Sequence, residues 1–497
     1  MTEPQQGKDP AVFEAVPLDR ERETEDEAVT VPVEAAGTER RSRRPMLINP
    51  NEELTPAAAR QKAVNLAVPA VIENFLMSLV GMVDQIMVGQ LGAAATAAVG
   101  ITNNPVQLAT AVFQALNVGT TSLIARLIGS GDRKLANEAA RQTLVLIICM
   151  SFTMAAFLYA LTIPILTGMG AEEDTMFYAV DYFKLSAISL IFNQITMTIN
   201  SQVRGAGDTR TPMKNNIVTN MINLFANIVL INGYLGFPRL EVYGAGLASI
   251  IARFCGMCMA LSVVLRGDNN IHIDLKSKFR FNWDIAARVS RVGFPSAIEQ
   301  FVMRGGNLLF VTTVTGLGTT TYAAHVIANN INSLSMTPGQ GFSMAATTLT
   351  GQSLGAKRPD WAEMCGWETQ KISMSMAVPM SLFLFFGGVY VARLYNPDPA
   401  VYLQASTALK YVAFTQVPRM SQVVLAGSLR GAGDTKWTLI STFVGMWIVR
   451  LVLARILVGN LGWGLSGAWL ALAADQLARS ALIMMRYRSG KWKAIKV

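Results

Sequence analysis

The sequence predicts an all-α membrane protein of twelve transmembrane helices, built as two six-helix lobes related by a pseudo-two-fold axis along the membrane normal. Three observations predict it. The 497 residues are 51% hydrophobic and only 15% charged, with a mean hydropathy of +0.35, where a soluble protein would carry about 25% charged residues. Apolar runs recur along the chain, many of them near or above the roughly 20 residues that span a bilayer. The chain also contains itself twice. Pro69-Ala-Val-Ile-Glu73-Asn-Phe75 matches Pro295-Ser-Ala-Ile-Glu299-Gln-Phe301, Leu91-Gly92 matches Leu317-Gly318, and Arg204-Gly-Ala-Gly-Asp-Thr209 recurs unchanged as Arg430-Gly-Ala-Gly-Asp-Thr435, each at an offset of 226 (295 − 69, 317 − 91, 430 − 204). An offset this long is far beyond solenoid repeats and marks a duplicated half-protein.

In order, the expected spans are 64–88, 95–124, 141–168, 176–201, 213–236 and 243–266 in the first half, then 288–314, 319–350, 367–392, 401–428, 437–459 and 464–487 in the second. An even number of spans per half makes both halves enter the membrane in the same direction, which fixes the axis of the repeat. The loops alternate in charge. Arg126, Arg133 and Lys134 follow span 2, Arg204, Arg210 and Lys214 follow span 4, and Arg266, Lys276, Lys278 and Arg280 follow span 6. Lys357, Arg358, Arg430 and Lys436 repeat this in the second half, whereas the opposite loops are nearly free of cations and one is acidic (Glu172, Glu173, Asp174). The positive-inside rule then puts both termini in the cytoplasm. Residues 1–60 read as a disordered cytoplasmic tail, acidic and then basic, with no apolar region of a signal peptide. The first lobe is 61–270, the linker 271–287, the second lobe 288–487 and a basic C-terminal tail 488–497.

Several classes are disfavoured. A β-barrel would show short alternating segments instead of long runs. The net charge of +9 belongs to cytoplasmic loops and does not imply nucleic acid. Cys149, Cys255, Cys258 and Cys365 lie in or beside apolar segments and suggest neither disulfides nor a zinc site. Only His272 and His325 are histidines, which is poor material for a membrane enzyme. Gly-Ala-Gly-Asp-Thr lacks the Gly-Lys-Ser/Thr ending of a phosphate loop and reads as a turn between helices, with Asp208 or Thr209 capping the next one.

Acidic residues inside spans are the sharper signal, because they are costly in hydrocarbon and usually face a cavity. Glu73 and Asp84 share span 1. Eleven residues apart (84 − 73), they lie within about 20° of one helical face and about 16 Å apart along it. Glu299 repeats Glu73, but Phe310 stands where Asp84 would recur (310 − 84 = 226). Arg304, five residues after Glu299, is the expected partner of that carboxylate. Asn223 and Asn227 share a face of span 5, where they either coordinate a cation or tie helices together. The repeat mates Asn104 and Asn330, and Gln114 and Gln340, join Glu299, Arg304 and His325 as candidate lining of a substrate cavity.

Val83-Asp84-Gln85-Ile86-Met87-Val88-Gly89, the Leu91-Gly92 turn, the loop at 126–134 and the duplicated Arg-Gly-Ala-Gly-Asp-Thr together resemble the multidrug and toxic compound extrusion (MATE) transporters, across nearly all of 61–490. The resemblance implies two lobes around a central cleft and efflux of organic cations and drugs in exchange for Na⁺ or H⁺. It matches the family's first-helix aspartate to Asp84. One branch carries an Asn-x-x-x-Asp pair in helix 5 with a hydroxyl in helix 6; here those positions are Asn223, Asn227 and Ser249. Another branch carries a helix-7 glutamate and a helix-10 aspartate. Here Glu299 lies about one turn earlier than that glutamate and span 10 has no acid. These departures favour coupling through the first lobe, at Asp84 and Glu73, with Na⁺ as the metal that Asp84, Asn223 and Asn227 would hold. The expected protein is a secondary active efflux antiporter of the inner membrane, working by alternating access. It is expected to be a monomer and not an enzyme, with drug-like molecules and lipid as its partners and no cofactor besides the coupling ion. The alternative is a flippase for lipid-linked oligosaccharides from the same superfamily. That protein would line its cleft with cations, for which Arg304, Arg450 and Arg455 are available, and Asp84 argues against it.

Overall fold

The computed structural model describes residues 47–48, 53–234, 236–267, 270–274 and 280–495, and among these every regular element is helical. Spans 1 to 6 are Pro56–Gly89, Ala93–Gly129, Arg133–Ala160 continued by Thr162–Gly168, Glu173–Gly205, Arg210–Asn232 and Glu241–Arg266. Spans 7 to 12 are Trp283–Thr315, Thr319–Ser335 continued by Thr337–Gly355, Pro359–Tyr395, Pro399–Gly431, Thr435–Asn460 and Gly464–Arg488. Seven of the twelve are long and apolar enough to cross a membrane by themselves, at 26 to 37 residues. Spans 5, 7, 8, 10 and 12 fall short of that measure. They carry the asparagines of span 5 and Glu299, Arg304, Arg419, Asp475 and Arg479, or, in span 8, a break at Met336. Polar content that weakens a span as a lipid-facing helix is tolerated where the helix faces other protein.

Breaks and turns follow local chemistry. Span 3 breaks at Leu161 because Pro164 has no N–H to give the carbonyl of Ala160, and span 8 restarts with Pro338 in its first turn. The duplicated turn passes through Gly207 (φ +94°) and Gly433 (φ +87°), a left-handed conformation that favours glycine. Asp208 then caps span 5 by accepting from Arg210 N at 3.0 Å and Thr211 N at 3.2 Å. Its repeat mate Asp434 instead holds Arg486 at 2.7 Å.

Several boundaries differ from the sequence reading: spans 3 and 9 begin eight residues early, at Arg133 and Pro359 (141 − 133, 367 − 359), and three further differences have a visible cause. Span 1 starts at Pro56, ahead of residue 61, because Thr55 caps it by accepting from Ala58 N at 3.3 Å. The linker is partly absorbed: Ile271 and Ile273 are buried in the first lobe's core, and span 7 already begins at Trp283. The C-terminal tail is docked. Trp492 is fully buried and stacks on Tyr487 at 4.9 Å, which removes a large aromatic from water. The disordered-tail expectation for 1–46 and 49–52, and Lys276, Lys278 and Lys496, lie outside the described residues.

Contacts between the halves are exchanged across the repeat. Span 1 packs on the second part of span 8, and span 7 packs on span 2. At the end bearing the basic loops the lobes meet backbone to backbone. Gly129 abuts the main chain of Gln352, and its mate Gly355 abuts the carbonyl of Arg126. Ser122 Oγ donates to the carbonyl of Gly431 at 3.0 Å, and its mate Thr348 Oγ1 donates to that of Arg204 at 3.1 Å. That end is shut, and a cleft opens between the lobes above it.

Candidate functional site

Asp84 reaches a polar cavity of about 150 Å³ between spans 1, 4, 5 and 6. Asn227 Nδ2 donates to Asp84 Oδ1 at 2.8 Å and to Asn223 Oδ1 at 3.3 Å. Asn227 is 4% exposed and its own Oδ1 is buried without a partner, which is a costly state for an acceptor. Ser249 lines the same cavity. The structure thus puts Asp84, Asn223 and Ser249 on one small space, with Asn227 bonded to Asp84 and Asn223 but outside the cavity lining, and the lining offers oxygen donors of the kind that a hard cation takes. Arg253 also lines it and donates from Nη1 to Ser189 Oγ at 2.7 Å. The sequence reading missed Arg253, although a cation inside span 6 is as unusual in hydrocarbon as an acid.

Glu73 lies elsewhere on the same helical face. It is 2% exposed and ion-paired with Arg204, and Asn216 donates to the same carboxylate oxygen. Asn216 also lines the Asp84 cavity, so one polar wall runs from one carboxylate to the other. The second lobe repeats the latch. Arg430 Nη2 holds Glu299 Oε1 at 2.8 Å, and Thr442, the mate of Asn216 (442 − 216 = 226), donates to it at 3.3 Å. Thr438 donates to the other oxygen at 2.9 Å. The expectation that Arg304 partners Glu299 is corrected: among the described residues Arg304 reaches only Gln107 Oε1, at 3.5 Å. The arginine of each duplicated turn crosses its lobe to the glutamate of the lobe's first helix, a pairing that a turn motif does not announce.

The cleft runs between the lobes as adjoining cavities that share residues. Gln114 and Gln340, repeat mates, each line two of them. Asn330 lines the part beside span 1, whereas Asn104 is exposed and lines none of these cavities. His325 is corrected from cavity lining to packing: it is 5% exposed, with Phe310 at 5.9 Å and Trp469 at 5.5 Å between ring centroids. The cavity of about 500 Å³ in the second lobe is lined by Glu299 and by Arg419, Arg430, Arg450 and Arg479. Arg450 and Arg479 share Asp475, which is completely buried beneath them. Arg450 faces inward from a π-helical stretch, Val444–Arg450, and a second one follows at Arg455–Asn460. Such local rewinding often marks functional sites and left no signal in the sequence. Arg455 is exposed.

A duplicated six-helix bundle, a polar cleft between its halves and a carboxylate within the membrane-spanning part make a multi-pass membrane transporter. A family model described as MatE matches residues 69–229 and again 295–456, the two halves of the repeat, so the chain belongs to the MatE family, the MATE transporters. It is 32% identical over 456 residues to "Probable multidrug resistance protein NorM" of Thermotoga maritima, covering 89% of this chain and 95% of that one. It is 26% identical to "Multidrug resistance protein MdtK" of Yersinia pestis, covering 85% and 94%. Among solved structures, an outward-facing multidrug resistance MATE transporter superposes with a TM-score of 0.82 at 22% identity, covering 87% of this chain and 97% of that one.

Proposed function

We propose that this chain is a secondary active multidrug efflux antiporter of the inner membrane, with both termini cytoplasmic, that exports organic cations and other drug-like compounds in exchange for H⁺ or Na⁺. The observation that carries this reading is Asp84 in its cavity. Asn227 ties up one carboxylate oxygen while leaving its own carbonyl free. A proton on Asp84, or a sodium ion among Asp84, Asn223, Asn227 and Ser249, would cancel the carboxylate charge and free Asn227 to turn. Span 1 carries that change to span 8 of the other lobe, against which it packs. An ion that binds one arrangement of the lobes better than the other drives the exchange. The names of the Thermotoga and Yersinia relatives support drug-like cargo, and the basic loops support the orientation.

Dye efflux from proteoliposomes under separately imposed pH and Na⁺ gradients tests the reading. Asp84→Asn keeps size and removes charge. It is expected to lower gradient-driven efflux at least about tenfold at unchanged membrane level, the scale of a lost charge-assisted interaction. Near-normal efflux by the variant rejects the coupling role. The second-lobe arginines favour the flippase alternative, which predicts transfer of a lipid-linked sugar and no dye efflux in the same vesicles.

A further inference from the structure

The second lobe's cavity has a charge imbalance that the first lobe's does not. Four arginines, Arg419, Arg430, Arg450 and Arg479, line it. Two carboxylates face them: Glu299, held by Arg430, and Asp475, held by Arg450 and Arg479. Arg419 gives Nη1 to the amide oxygen of Asn332 and makes no ion pair among the described residues. The charges that bear on it are Arg479, Arg450 and Asp475. Four cations against two anions leave two positive charges uncompensated (4 − 2) inside a transmembrane lobe. By contrast, the polar wall of the first lobe sets Glu73 and Asp84 against Arg204 and Arg253 and is balanced.

Buried charge is retained where something pairs with it. Guanidinium groups present planar forks that fit carboxylate, phosphate and sulfonate. The remaining wall includes Met303, Met336, Met446 and Leu472, which suit an apolar body of variable shape. A space of about 500 Å³ falls in the range that holds a drug-sized molecule. We infer that the second lobe is a binding site for an oxyanion carried on an apolar body, with Arg419 as its principal donor. This rests on the reading of the protein as an exporter of small molecules, and it extends the cargo to acidic amphiphiles. The cavity shares Gln114 and Gln340 with the central cleft, which places its entrance between the lobes and favours a soluble compound over a lipid headgroup.

The test is equilibrium binding to the full-length protein in nanodiscs of zwitterionic lipid, with 2-naphthoate against its near-isostere 2-naphthamide. The acid is expected to bind at least about tenfold more tightly. Arg419→Gln should remove about that factor for the acid and leave the amide unchanged, with Arg419→Lys in between because it keeps the charge and loses the fork. Arg419 has no ion pair to strand, and the comparison of acid with amide on the unaltered protein stands without any variant. Including phosphatidylglycerol in the nanodiscs separates the two sources of oxyanion. Unchanged naphthoate affinity assigns the site to soluble acids, and competition assigns it to the headgroup. Equal affinity for acid and amide, or tighter binding of cationic 2-naphthylmethylamine, overturns the inference. The ratio of acid to amide affinity is read on the unaltered protein at equilibrium with no ion gradient, so failure here and failure of ion coupling read out separately.

Discussion

In the first lobe a lone carboxylate, Asp84, sits beside a small oxygen-lined cavity, with asparagine amides and Arg253 for company. In the second, Phe310 occupies the corresponding place, packed beneath the guanidinium of Arg450 at 5.4 Å from the ring centroid. The second lobe's acid, Asp475, is instead completely buried under two arginines. Yet both lobes keep the latch between the first helix and the duplicated turn, Glu73 with Arg204 and Glu299 with Arg430. Duplication preserved what holds each lobe together and let the polar interior diverge. A carboxylate with free oxygen donors around it can exchange a cation with solvent. One clamped by two guanidinium groups serves to hold those groups in place.

If that contrast is right, Asp475→Asn has the largest effect of any single change considered. Arg450 and Arg479, 5% and 7% exposed, would lose their shared anion. Removing one partner of a buried pair costs about 3–5 kcal/mol, a large part of the stability of an ordinary domain. The variant should accumulate poorly and lose its cooperative thermal transition in detergent, as followed by size-exclusion chromatography. Asp84→Asn should keep a near-native transition. Equal transitions for the two variants would break the distinction between a structural and an exchangeable acid.

Much of this was legible in the residues. Hydropathy, the repeat offset and loop charge predict twelve spans in two lobes, and an acid in span 1 with amides on one face of span 5 points to the Asp84 cavity. What stayed hidden needed distance in three dimensions. Arg204 and Glu73 are separated by most of four spans, so the spacing of the turn motif does not reveal the pair. Arg304, near Glu299 in sequence, was the natural wrong partner: five residues along a helix put it on a different face. Arg450 and Arg455 look alike in sequence, but five residues apart they lie on different faces of span 11, one buried and the other exposed. Hydropathy also could not place helix ends, because capping by Thr55 and the docking of Trp492 depend on a few atoms.

The two latches allow a finer comparison. Arg204 is 11% exposed and Arg430 25%, and Glu299 has two threonine hydroxyls besides its arginine. Glu73→Gln should therefore destabilise by about 1.5–3 kcal/mol, the value of a hydrogen bond to a charged group. Glu299→Gln should destabilise less, because Arg430 is better hydrated and the hydroxyls still bond an amide oxygen. Function should separate them too. Asn216 joins Glu73 to the Asp84 cavity, so Glu73→Gln should shift the Na⁺ or pH dependence of efflux, whereas Glu299→Gln should leave that dependence in place. A shift in the Glu299 variant alone would move ion coupling into the second lobe.

The smallest effect is expected where the lobes are most alike. Gly129 and Gly355 are repeat mates that let spans 2 and 8 touch main chain to main chain at the closed end. A methyl group on either would press on the opposite backbone, on Gln352 in one case and on Arg126 and Ser130 in the other. Each lobe remains intact internally, so alanine at either site should leave the folded lobes nearly as stable and disfavour only the arrangement in which the lobes meet. The expected result is a shift of population toward the state open at that end. Spin labels at the exposed Ser130 and Lys357, one on each lobe, would report it as a longer component in the distance distribution, with native cysteines replaced beforehand. Gly129→Ala and Gly355→Ala should shift the distribution to a similar extent, because their contacts are related by the repeat. An unchanged distribution in both variants would show that another contact shuts the cleft. A shift in one alone would carry the divergence of the lobes from their polar interiors to the surface on which they pivot.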